Sequence, residues 1–345
     1  MRALQLIAWG MEAEFRDVAE PEPGPGEVLV RVGGAGACHS DLHLMHDFVE
    51  GMLPWNPPFT LGHENAGWVE AVGAGVQGLE VGVPVVVYGP WGCGRCARCR
   101  QGMENYCERA ATMAAAGGGL GFDGGMAPLL RVPSARHLVP LTSLSPVEAA
   151  PLTDAGLTPY HAIKRSLPLL GPGSCAVVIG AGGLGHMATQ ILSACTPTTV
   201  IAVDRDEAPL GLVRDAGATH TVVSGVDTGA ELRDLTRGRG ADLVLDLVGS
   251  DETLAMGAAV ARQLGHLTLV GLAGGTLPFG FFSPQYEVSV ASTYWGTLPE
   301  LIEVVALAEE GKIRAHVHEF ALEDAPAAYD AMRAGTLRGR AVIVP

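Results

Sequence analysis

The first 150 residues carry short apolar runs separated by glycine and proline. Valine-rich runs occur at 28–32, 68–72 and 83–88, and one Pro/Gly cluster lies at 21–26. Many short strands punctuated in this way are typical of a β-barrel or a β-sandwich. We therefore predict that this part of the chain is rich in β-structure.

The pattern changes near residue 150, where short β-branched runs begin to alternate with segments of helical periodicity. Strands are predicted at 175–179, 199–203, 221–223, 242–247 and 266–270. Helices are predicted between most of them, at 184–193, 207–215, 230–236 and 252–262. This alternation predicts βαβ units and a doubly wound parallel sheet. Helices at 299–310 and 323–334 and a strand at 341–344 complete the prediction.

Composition limits the size and the location of the protein. The chain has 345 residues, of which 48% are hydrophobic and 17% charged, so we expect about two folded domains. No apolar run approaches the roughly 18 residues that a membrane span requires. The acidic first 30 residues resemble neither a secretory signal nor a transit peptide, so we expect a cytoplasmic protein.

The net charge of −15, from 22 basic and 37 acidic side chains, bears on the choice of partner. Phosphate backbones and anionic lipid surfaces would repel such a protein. We therefore expect neither nucleic acid nor a membrane as a partner.

A glycine-rich turn follows one predicted strand and opens a predicted helix. The turn reads Gly180-Ala181-Gly182-Gly183-Leu184-Gly185. Gly180 would make the tight turn, Gly182 would let the backbone approach a pyrophosphate, and Gly185 would let the helix pack on the sheet. Since N–H groups at a helix N-terminus favour an anion, the turn predicts a dinucleotide site. The alternative is a glycine-rich connection without a ligand.

Asp204 is the acidic residue that completes this fingerprint. It ends a predicted strand nineteen residues after Gly185. Its carboxylate would accept hydrogen bonds from the ribose hydroxyls and repel a 2′-phosphate, which favours NAD over NADP. Arg205 beside it argues the other way, because an arginine can accommodate a 2′-phosphate.

Four cysteines form a compact cluster in the first half of the chain. Their spacing is Cys93-x₂-Cys96-x₂-Cys99-x₇-Cys107. Four thiolates can close a tetrahedral zinc site with no open position, which is a structural site. Iron–sulfur ligation is the competing interpretation, but the bacterial ferredoxin pattern has three residues and then a proline around its last cysteine. The cluster therefore favours zinc.

Three other segments carry single side chains that could bind a metal. Cys38 follows a glycine-rich turn, His63 follows Leu61-Gly62, and Asp154 precedes Ala155-Gly156. A lone histidine or cysteine is more often structural than metal-binding. Spacing alone therefore leaves a second metal site open.

Together and in this order, the motifs resemble the zinc-dependent medium-chain alcohol dehydrogenase family over essentially the whole chain. Gly62-His63-Glu64 with Gly67, the segment around Cys38, the four-cysteine cluster and Gly180–Gly185 carry the resemblance. Four further segments are similar to NAD-dependent secondary-alcohol dehydrogenases of actinobacteria, at 89–93, 152–162, 294–297 and 337–340.

The resemblance implies an α/β protein with two domains. Residues 1–150 and 288–345 would form a GroES-like, β-rich catalytic domain. Residues 151–287 would form a Rossmann domain with a doubly wound parallel sheet, and the active site would lie in the cleft between the domains. The family also implies a homodimer or homotetramer, assembled near residues 280–297.

The resemblance further implies two zinc ions per chain, one structural and one catalytic. Cys38, His63 and Asp154 would hold the catalytic zinc. Many relatives have a cysteine in the third position, but an aspartate is also a zinc ligand. The fourth position would take alcohol or water. Glu64 would approach the metal, and Asp41 would orient the imidazole of His63.

The remaining site residues are also implied by the resemblance. Ser40 would contact the substrate oxygen, and His43 would end a proton relay, although a pocket-wall role for His43 stays open. His39 and Arg340 match positions that meet the cofactor phosphates. The substrate pocket would be apolar and aromatic, lined by Trp55, Leu120, Phe282, Tyr294 and Trp295.

The implied function is the interconversion of secondary alcohols and ketones by hydride transfer to and from NAD. Zinc would lower the pKa of the bound alcohol. A polyol dehydrogenase of the sorbitol type is one alternative, which the apolar pocket residues argue against. A non-catalytic NAD-binding protein is another, but it would be expected to have lost zinc ligands, and all are present in the sequence.

Overall fold

Antiparallel strands dominate the first of the two units into which the chain divides. The computed structural model describes all of residues 1–345. The first unit comprises Met1–Leu157, Trp295–Glu309 and Ala315–Pro345, and the second comprises Thr158–Tyr294 and Glu310–Arg314. The sequence predicts domain limits at residues 150 and 288. In the structure the first unit ends at Leu157 and resumes at Trp295, so both limits lie seven residues further along the chain.

Twelve strands of the first unit form three sheets. Their bounds are β1 Arg2–Leu6, β2 Glu14–Asp17, β3 Val28–Gly36, β4 Phe59–Thr60, β5 Glu64–Val72, β6 Pro84–Val87, β7 Gly117–Gly118, β8 Gly121–Phe122, β9 Leu129–Val132, β10 Leu138–Pro140, β17 Val317–Ala321 and β18 Arg340–Val344. The largest sheet has the order β10-β6-β5-β3-β18-β17, and β9 also pairs with β3. β2-β1-β4 and β7-β8 form the small sheets.

The centre of the large sheet is the antiparallel pair of β3 and β5. Their valines are buried in the core, as Val28, Val30 and Val69 show, which explains the apolar runs in the sequence. Gly36 ends β3 opposite Glu64, the first residue of β5. A Cβ atom on Gly36 would lie 1.9 Å from a carboxylate oxygen of Glu64, so only glycine fits there.

This arrangement places several functional side chains at one end of the sheet. β18 runs antiparallel to β3, with Val342 opposite Gly36. The end of β3, the start of β5 and the start of β18 therefore meet at the same end. Cys38, His63 and Arg340 lie at these three strand ends.

The helices of the first unit are mostly short. Their bounds are α1 His39–His46, α2 Ala97–Arg100, α3 Pro146–Ala149, α9 Leu298–Glu309 and α10 Ala325–Arg333, and α4 Leu157–Lys164 begins where the unit ends. The 3₁₀ helices of the chain are Glu104–Tyr106, Ala110–Thr112, Ala135–His137, Ala150–Thr153, Leu167–Leu169 and Leu322–Asp324. None of the helices combines the length and the apolar character that crossing a bilayer demands.

The second unit contains a six-stranded sheet with helical connections. Its strands are β11 Cys175–Ile179, β12 Thr199–Asp204, β13 His220–Val223, β14 Ala241–Asp246, β15 Ala261–Leu269 and β16 Ser289–Ser292. Its helices are α5 Gly183–Cys195, α6 Glu207–Asp215, α7 Thr228–Leu235 and α8 Asp251–Val260. All strand pairs are parallel, and the order is β13-β12-β11-β14-β15-β16. This is the doubly wound order of a dinucleotide-binding sheet, which confirms the predicted fold class.

Two details of this sheet differ from the prediction. β15 begins at Ala261 rather than at residue 266, because the backbone becomes extended there and ends α8. Ala261 pairs with Ala241, and after a register shift the pairing resumes between His266 and Leu243. β16 was not predicted, because this edge strand is mostly exposed and carries no apolar run.

Candidate metal centres and cofactor site

The four predicted cysteines converge in the lobe formed by α2 and the adjacent 3₁₀ turn. The Sγ atoms of Cys96 and Cys99 are 3.4 Å apart, and those of Cys93 and Cys99 are 3.9 Å apart. Ligands of a tetrahedral zinc with bonds of ~2.3 Å are separated by roughly 3.8 Å. Backbone N–H groups of Cys99 and Arg109 also donate to the sulfurs of Cys96 and Cys107.

The pKa shifts within this cluster differ in direction: backbone hydrogen bonding lowers the pKa of Cys96, and burial raises the pKa of Cys99. Hydrogen bonding from the backbone N–H of Arg95 lowers the pKa of the Cys93 thiol to about 6. A thiolate, and not a thiol, is the form that binds a metal. The four cysteines therefore fit a closed zinc site of the structural type.

A buried carboxylate that the sequence analysis missed anchors this lobe. Glu104 accepts hydrogen bonds from the backbone N–H of Gly92 at 2.6 Å and from Arg136 Nε at 2.8 Å, and it lies 3.0 Å from His137 Nε2. Burial alone would raise the pKa of Glu104, but the hydrogen bonds from His137 and Arg136 prevail and lower it to about 2. The carboxylate is therefore ionised at neutral pH and links the cysteine lobe to the segment before β10.

The second candidate metal centre brings together Cys38, His63 and Asp154. Sγ of Cys38 lies 3.7 Å from Oδ2 of Asp154, and Nε2 of His63 lies 3.8 Å from the same oxygen. A thiolate, an imidazole and a carboxylate form a typical donor set for Zn²⁺, whose tetrahedral ligand atoms are roughly 3.3–3.8 Å apart. These three residues can therefore hold a zinc ion and leave a fourth position open.

Local structure explains how each of these three side chains is placed. Cys38 follows β3 and precedes α1, and His63 immediately precedes β5. Asp154 follows the 3₁₀ helix Ala150–Thr153, with φ −137° and ψ −63°. Cys38 and His63 are buried, and Asp154 is half-buried, so the ligand atoms are largely withdrawn from water.

Asp41 lies against two of the candidate ligand residues, and its predicted role in orienting His63 stays a prediction. Its Oδ2 accepts a hydrogen bond from the backbone N–H of Cys38 at 2.9 Å and another from the hydroxyl of Tyr329 at 2.9 Å. Its Oδ1 lies 3.1 Å from Nδ1 of His63. These last two atoms are buried and not aligned for a hydrogen bond.

Glu64 and Arg340 form a buried ion pair beside Asp154. Arg340 Nε donates to Glu64 Oε2 at 2.9 Å, and Arg340 Nη2 donates to Glu64 Oε1. Nη2 also lies 3.6 Å from Asp154 Oδ2. The backbone N–H of Ala155 donates to Glu64 as well, at 3.1 Å. Burial raises the pKa of Glu64 to about 7 despite the arginine. The predicted contact of Arg340 with a cofactor phosphate stays a prediction.

Helix α1 carries three further predicted residues. Ser40 is half-buried, and its Oγ lies 3.4 Å from the sulfur of Cys38. His43 is half-buried, and its Nδ1 contacts Oδ2 of Asp47 at 2.5 Å. His39 is exposed at the start of the helix. Ser40 is therefore close to the metal ligands, whereas the relay role of His43 and the phosphate role of His39 stay predictions.

Trp295 is the predicted pocket residue that lies against a metal ligand. Its ring packs edge-on against His63 with 5.6 Å between centroids, and its Nε1 donates to the carbonyl of Thr153 at 2.7 Å. Its φ of +55° is unusual for a bulky side chain. A Cβ on Gly89 would lie 2.0 Å from this indole, so glycine is required there.

The other predicted pocket residues belong to different units and differ in burial. Trp55 is buried and packs edge-to-face on Phe59. Leu120 is partly buried against the core of the first unit. Phe282 and Tyr294 belong to the second unit, and they are 83% and 45% exposed. Their role in a substrate pocket stays a prediction.

The glycine-rich turn in the second unit has the geometry that its sequence predicts. Gly180 has φ +95°, and a Cβ on Gly185 would lie 1.9 Å from the carbonyl oxygen of Gly180. The space beside Gly182 is open to 4 Å, and this residue is the N-cap of α5 without a side-chain cap. The turn therefore offers uncapped N–H groups and room for a pyrophosphate.

Asp204 lies at the end of β12, beside this turn. Its Oδ2 accepts a hydrogen bond from the backbone N–H of Ala181 at 2.7 Å, and its Oδ1 accepts one from Asp206 at 3.1 Å. The side chain of Arg205 is 85% exposed and contacts Asp206. Asp204 is thus fixed at the turn, while Arg205 extends into solvent.

A parallel doubly wound sheet with a glycine-rich turn, in a chain with two side-chain clusters that could hold a metal ion, is typical of a metal-dependent dehydrogenase. Family comparison agrees with this class. Residues 24–143 match the alcohol dehydrogenase GroES-like domain, and residues 183–310 match the zinc-binding dehydrogenase domain. The chain belongs to the zinc-binding medium-chain alcohol dehydrogenase family.

Individual relatives match over their full length. An NAD-dependent alcohol dehydrogenase of Sulfurisphaera tokodaii is 37% identical over 357 residues, which is 100% of both chains. A D-arabinose 1-dehydrogenase (NADP(+)) of Saccharolobus solfataricus is 37% identical over 348 residues, covering 100% of this chain and 97% of that protein. The crystal structure of the alcohol dehydrogenase from Aeropyrum pernix superposes with a TM-score of 0.93 at 38% identity and covers 100% of both chains.

Proposed function

We propose that this NAD-dependent alcohol dehydrogenase acts on secondary alcohols and the corresponding ketones. The observation that carries the proposal is the convergence of Cys38, His63 and Asp154 on one point beside the indole of Trp295. A bound zinc would supply a Lewis acid that makes an alcohol more acidic. NAD would be the hydride acceptor and NADH the donor in reverse.

The surrounding residues have separate tasks in this reaction. Asp41 holds the loop of Cys38 through its backbone N–H and faces the imidazole of His63. Arg340 balances the negative charge of Glu64 and Asp154 in a buried site. The hydroxyl of Ser40, near the sulfur of Cys38, can accept a hydrogen bond from a substrate hydroxyl. We propose that His43, with Asp47 on its Nδ1, takes up the proton that alcohol oxidation releases and passes it to solvent.

The substrate preference is tested with a panel of alcohols. We expect 2-octanol and 1-phenylethanol to exceed ethanol in kcat/KM with NAD by at least about tenfold. Each methylene buried against an apolar wall contributes about 0.8 kcal/mol, and a factor of ten corresponds to about 1.4 kcal/mol. Steady-state kinetics on the zinc-loaded enzyme provides the measurement.

Sorbitol and D-arabinose belong in the same panel as controls for the alternative. One relative is a D-arabinose 1-dehydrogenase, which favours a sugar as the second candidate substrate. A polyhydroxylated substrate would lose water at each hydroxyl and needs polar partners in return. If sorbitol or D-arabinose gave the highest kcat/KM, the secondary-alcohol proposal would be wrong, whereas the dehydrogenase chemistry would stand.

The preference for NAD over NADP is assigned to Asp204. We expect Asp204→Ala to lower the ratio of kcat/KM with NAD to kcat/KM with NADP by about 10–100-fold. The substitution removes both the ribose hydrogen bonds and the repulsion of a 2′-phosphate. The matched variant Arg205→Ala changes the exposed neighbour and should lower only residual NADP activity. Equal use of both cofactors by the unaltered enzyme would show that Asp204 does not set the preference.

Three finer inferences are part of the same proposal. Phe279, Phe281 and Phe282 are 75%, 77% and 83% exposed, and such an apolar patch supports a homodimer or homotetramer.

The cytoplasmic location stays a prediction from the sequence. The particular resemblance to actinobacterial enzymes also stays a prediction, since the relatives described above are archaeal.

A further inference from the structure

We propose that Tyr329, on the C-terminal helix α10, is a positioning residue for the catalytic metal centre. The hydroxyl of this tyrosine holds Asp41, and Asp41 in turn holds the backbone of Cys38 and faces the imidazole of His63. The inference rests on the proposed function, because it assumes that these last two residues bind the catalytic zinc.

The two oxygens of Asp41 have different partners. Oδ2 accepts two hydrogen bonds, one from the hydroxyl of Tyr329 and one from the backbone N–H of Cys38, both at 2.9 Å. Oδ1 is directed to Nδ1 of His63, at 3.1 Å. With Oδ2 fixed by two donors from different elements, the carboxylate cannot turn, and Oδ1 remains in front of the imidazole. Tyr329 therefore determines which carboxylate oxygen of Asp41 lies next to the imidazole of His63.

The burial of this group makes the tyrosine hydroxyl important. Asp41 is 0% exposed and Tyr329 is 3% exposed, so their hydrogen bond is withdrawn from bulk water. A buried charged oxygen that loses a donor is strongly destabilised. Without Tyr329, the carboxylate would turn towards other donors, and the orientation of His63 would become less defined.

The hydroxyl also stays protonated throughout the working pH range. Burial and the adjacent charge of Asp41 raise the pKa of Tyr329 well above its ordinary value of 10. Tyr329 therefore acts as a hydrogen-bond donor and not as an acid or base. Its hydroxyl also lies 3.3 Å from Sδ of Met126. The ring belongs to the buried core of the first unit, so the ring and the hydroxyl serve different purposes.

The variant Tyr329→Phe separates these two purposes, because it keeps the ring and removes only the hydroxyl. Tyr88→Phe is the matched control, since Tyr88 is equally buried and donates at 2.7 Å to a backbone carbonyl, that of Gly296. Both variants remove a buried tyrosine hydroxyl together with its hydrogen bonding. Only Tyr329→Phe loses one that holds Asp41.

The first measurement is the release of zinc from the holoenzyme to a chromogenic chelator. Loss of a partner that orients a metal ligand typically weakens metal affinity by about 10–100-fold. We expect one of two zinc equivalents to leave Tyr329→Phe about 10–100 times faster, with the four-cysteine zinc as an unchanged internal reference. Tyr88→Phe should release both equivalents at the rates of the unaltered enzyme.

The second measurement is the visible spectrum after Co²⁺ is exchanged into the catalytic site. We expect the ligand-field bands to shift in Tyr329→Phe and in Asp41→Asn, with no further shift in the double variant, because both residues act through the same carboxylate. Tyr88→Phe should leave the bands unchanged.

The possible outcomes separate this inference from the proposed function. If the unaltered enzyme binds two zinc ions and oxidises alcohols, but Tyr329→Phe matches Tyr88→Phe in release rate and spectrum, the role of Tyr329 is refuted and the proposed function stands. If the unaltered enzyme holds only the four-cysteine zinc, both are refuted. A selective change in Tyr329→Phe supports both.

Discussion

Asp154→Ala is expected to lower kcat/KM for alcohol oxidation by at least about 10³-fold while the protein stays folded. The substitution leaves only Cys38 and His63 as protein ligands, and two ligands do not hold a catalytic zinc at the usual strength. A loss of 10³-fold corresponds to about 4 kcal/mol of transition-state stabilisation. Arg340 keeps its partner Glu64 in the variant, so the fold around the site should survive. Circular dichroism and steady-state kinetics test both parts.

Asp154→Cys is the matched control for this prediction. It replaces the carboxylate by a thiolate, which is also a zinc ligand, and it should retain zinc and a measurable fraction of the activity. If Asp154→Ala retained more than about one-tenth of the activity of the unaltered enzyme, Asp154 would not be a ligand that the reaction needs.

The second large effect concerns the four-cysteine lobe. Cys99→Ser is expected to lose the structural zinc and at least about 3 kcal/mol of stability, because metal binding at such a site contributes directly to the folding free energy. For a domain of this size, about 3 kcal/mol lowers Tm by roughly 6–12 °C. Thermal unfolding followed by calorimetry measures the shift.

Cys195→Ser is the control for the loss of a thiol as such. Cys195 is exposed at the end of α5, outside both cysteine-containing clusters, and its substitution should leave Tm and zinc content unchanged. A Cys99→Ser protein with both zinc ions and an unaltered Tm would show that the lobe does not depend on metal.

Much of the second unit could be predicted because its signals are local. β11 and α6 have the predicted bounds, since a buried strand and an amphipathic helix are each encoded in a few consecutive residues. The glycine-rich turn also depends on short-range sterics, as the close contact between Gly180 and Gly185 shows. Edge strand β16 escaped prediction because exposure removes the apolar pattern that marks a strand.

The partners within the site could not be predicted, because they are far apart in the sequence. Arg340 and Glu64 are separated by 276 positions, and Tyr329 and Asp41 by 288. No spacing rule connects such residues, and only the pairing of β3 with β5 and β18 brings the strand ends together. The three metal ligands were identified through the resemblance to a family, whereas their spacing alone left the site open.

The zinc content per chain of the unaltered enzyme and of Asp154→Ala tests the central claim most directly. Native mass spectrometry on both proteins, with NAD-linked activity measured on the same samples, gives the result. Two zinc ions in the active enzyme and one in the inactive variant are predicted, because the four cysteines keep their metal when the Cys38, His63 and Asp154 site loses its own. A single zinc in the fully active enzyme, or two in Asp154→Ala, would contradict the account.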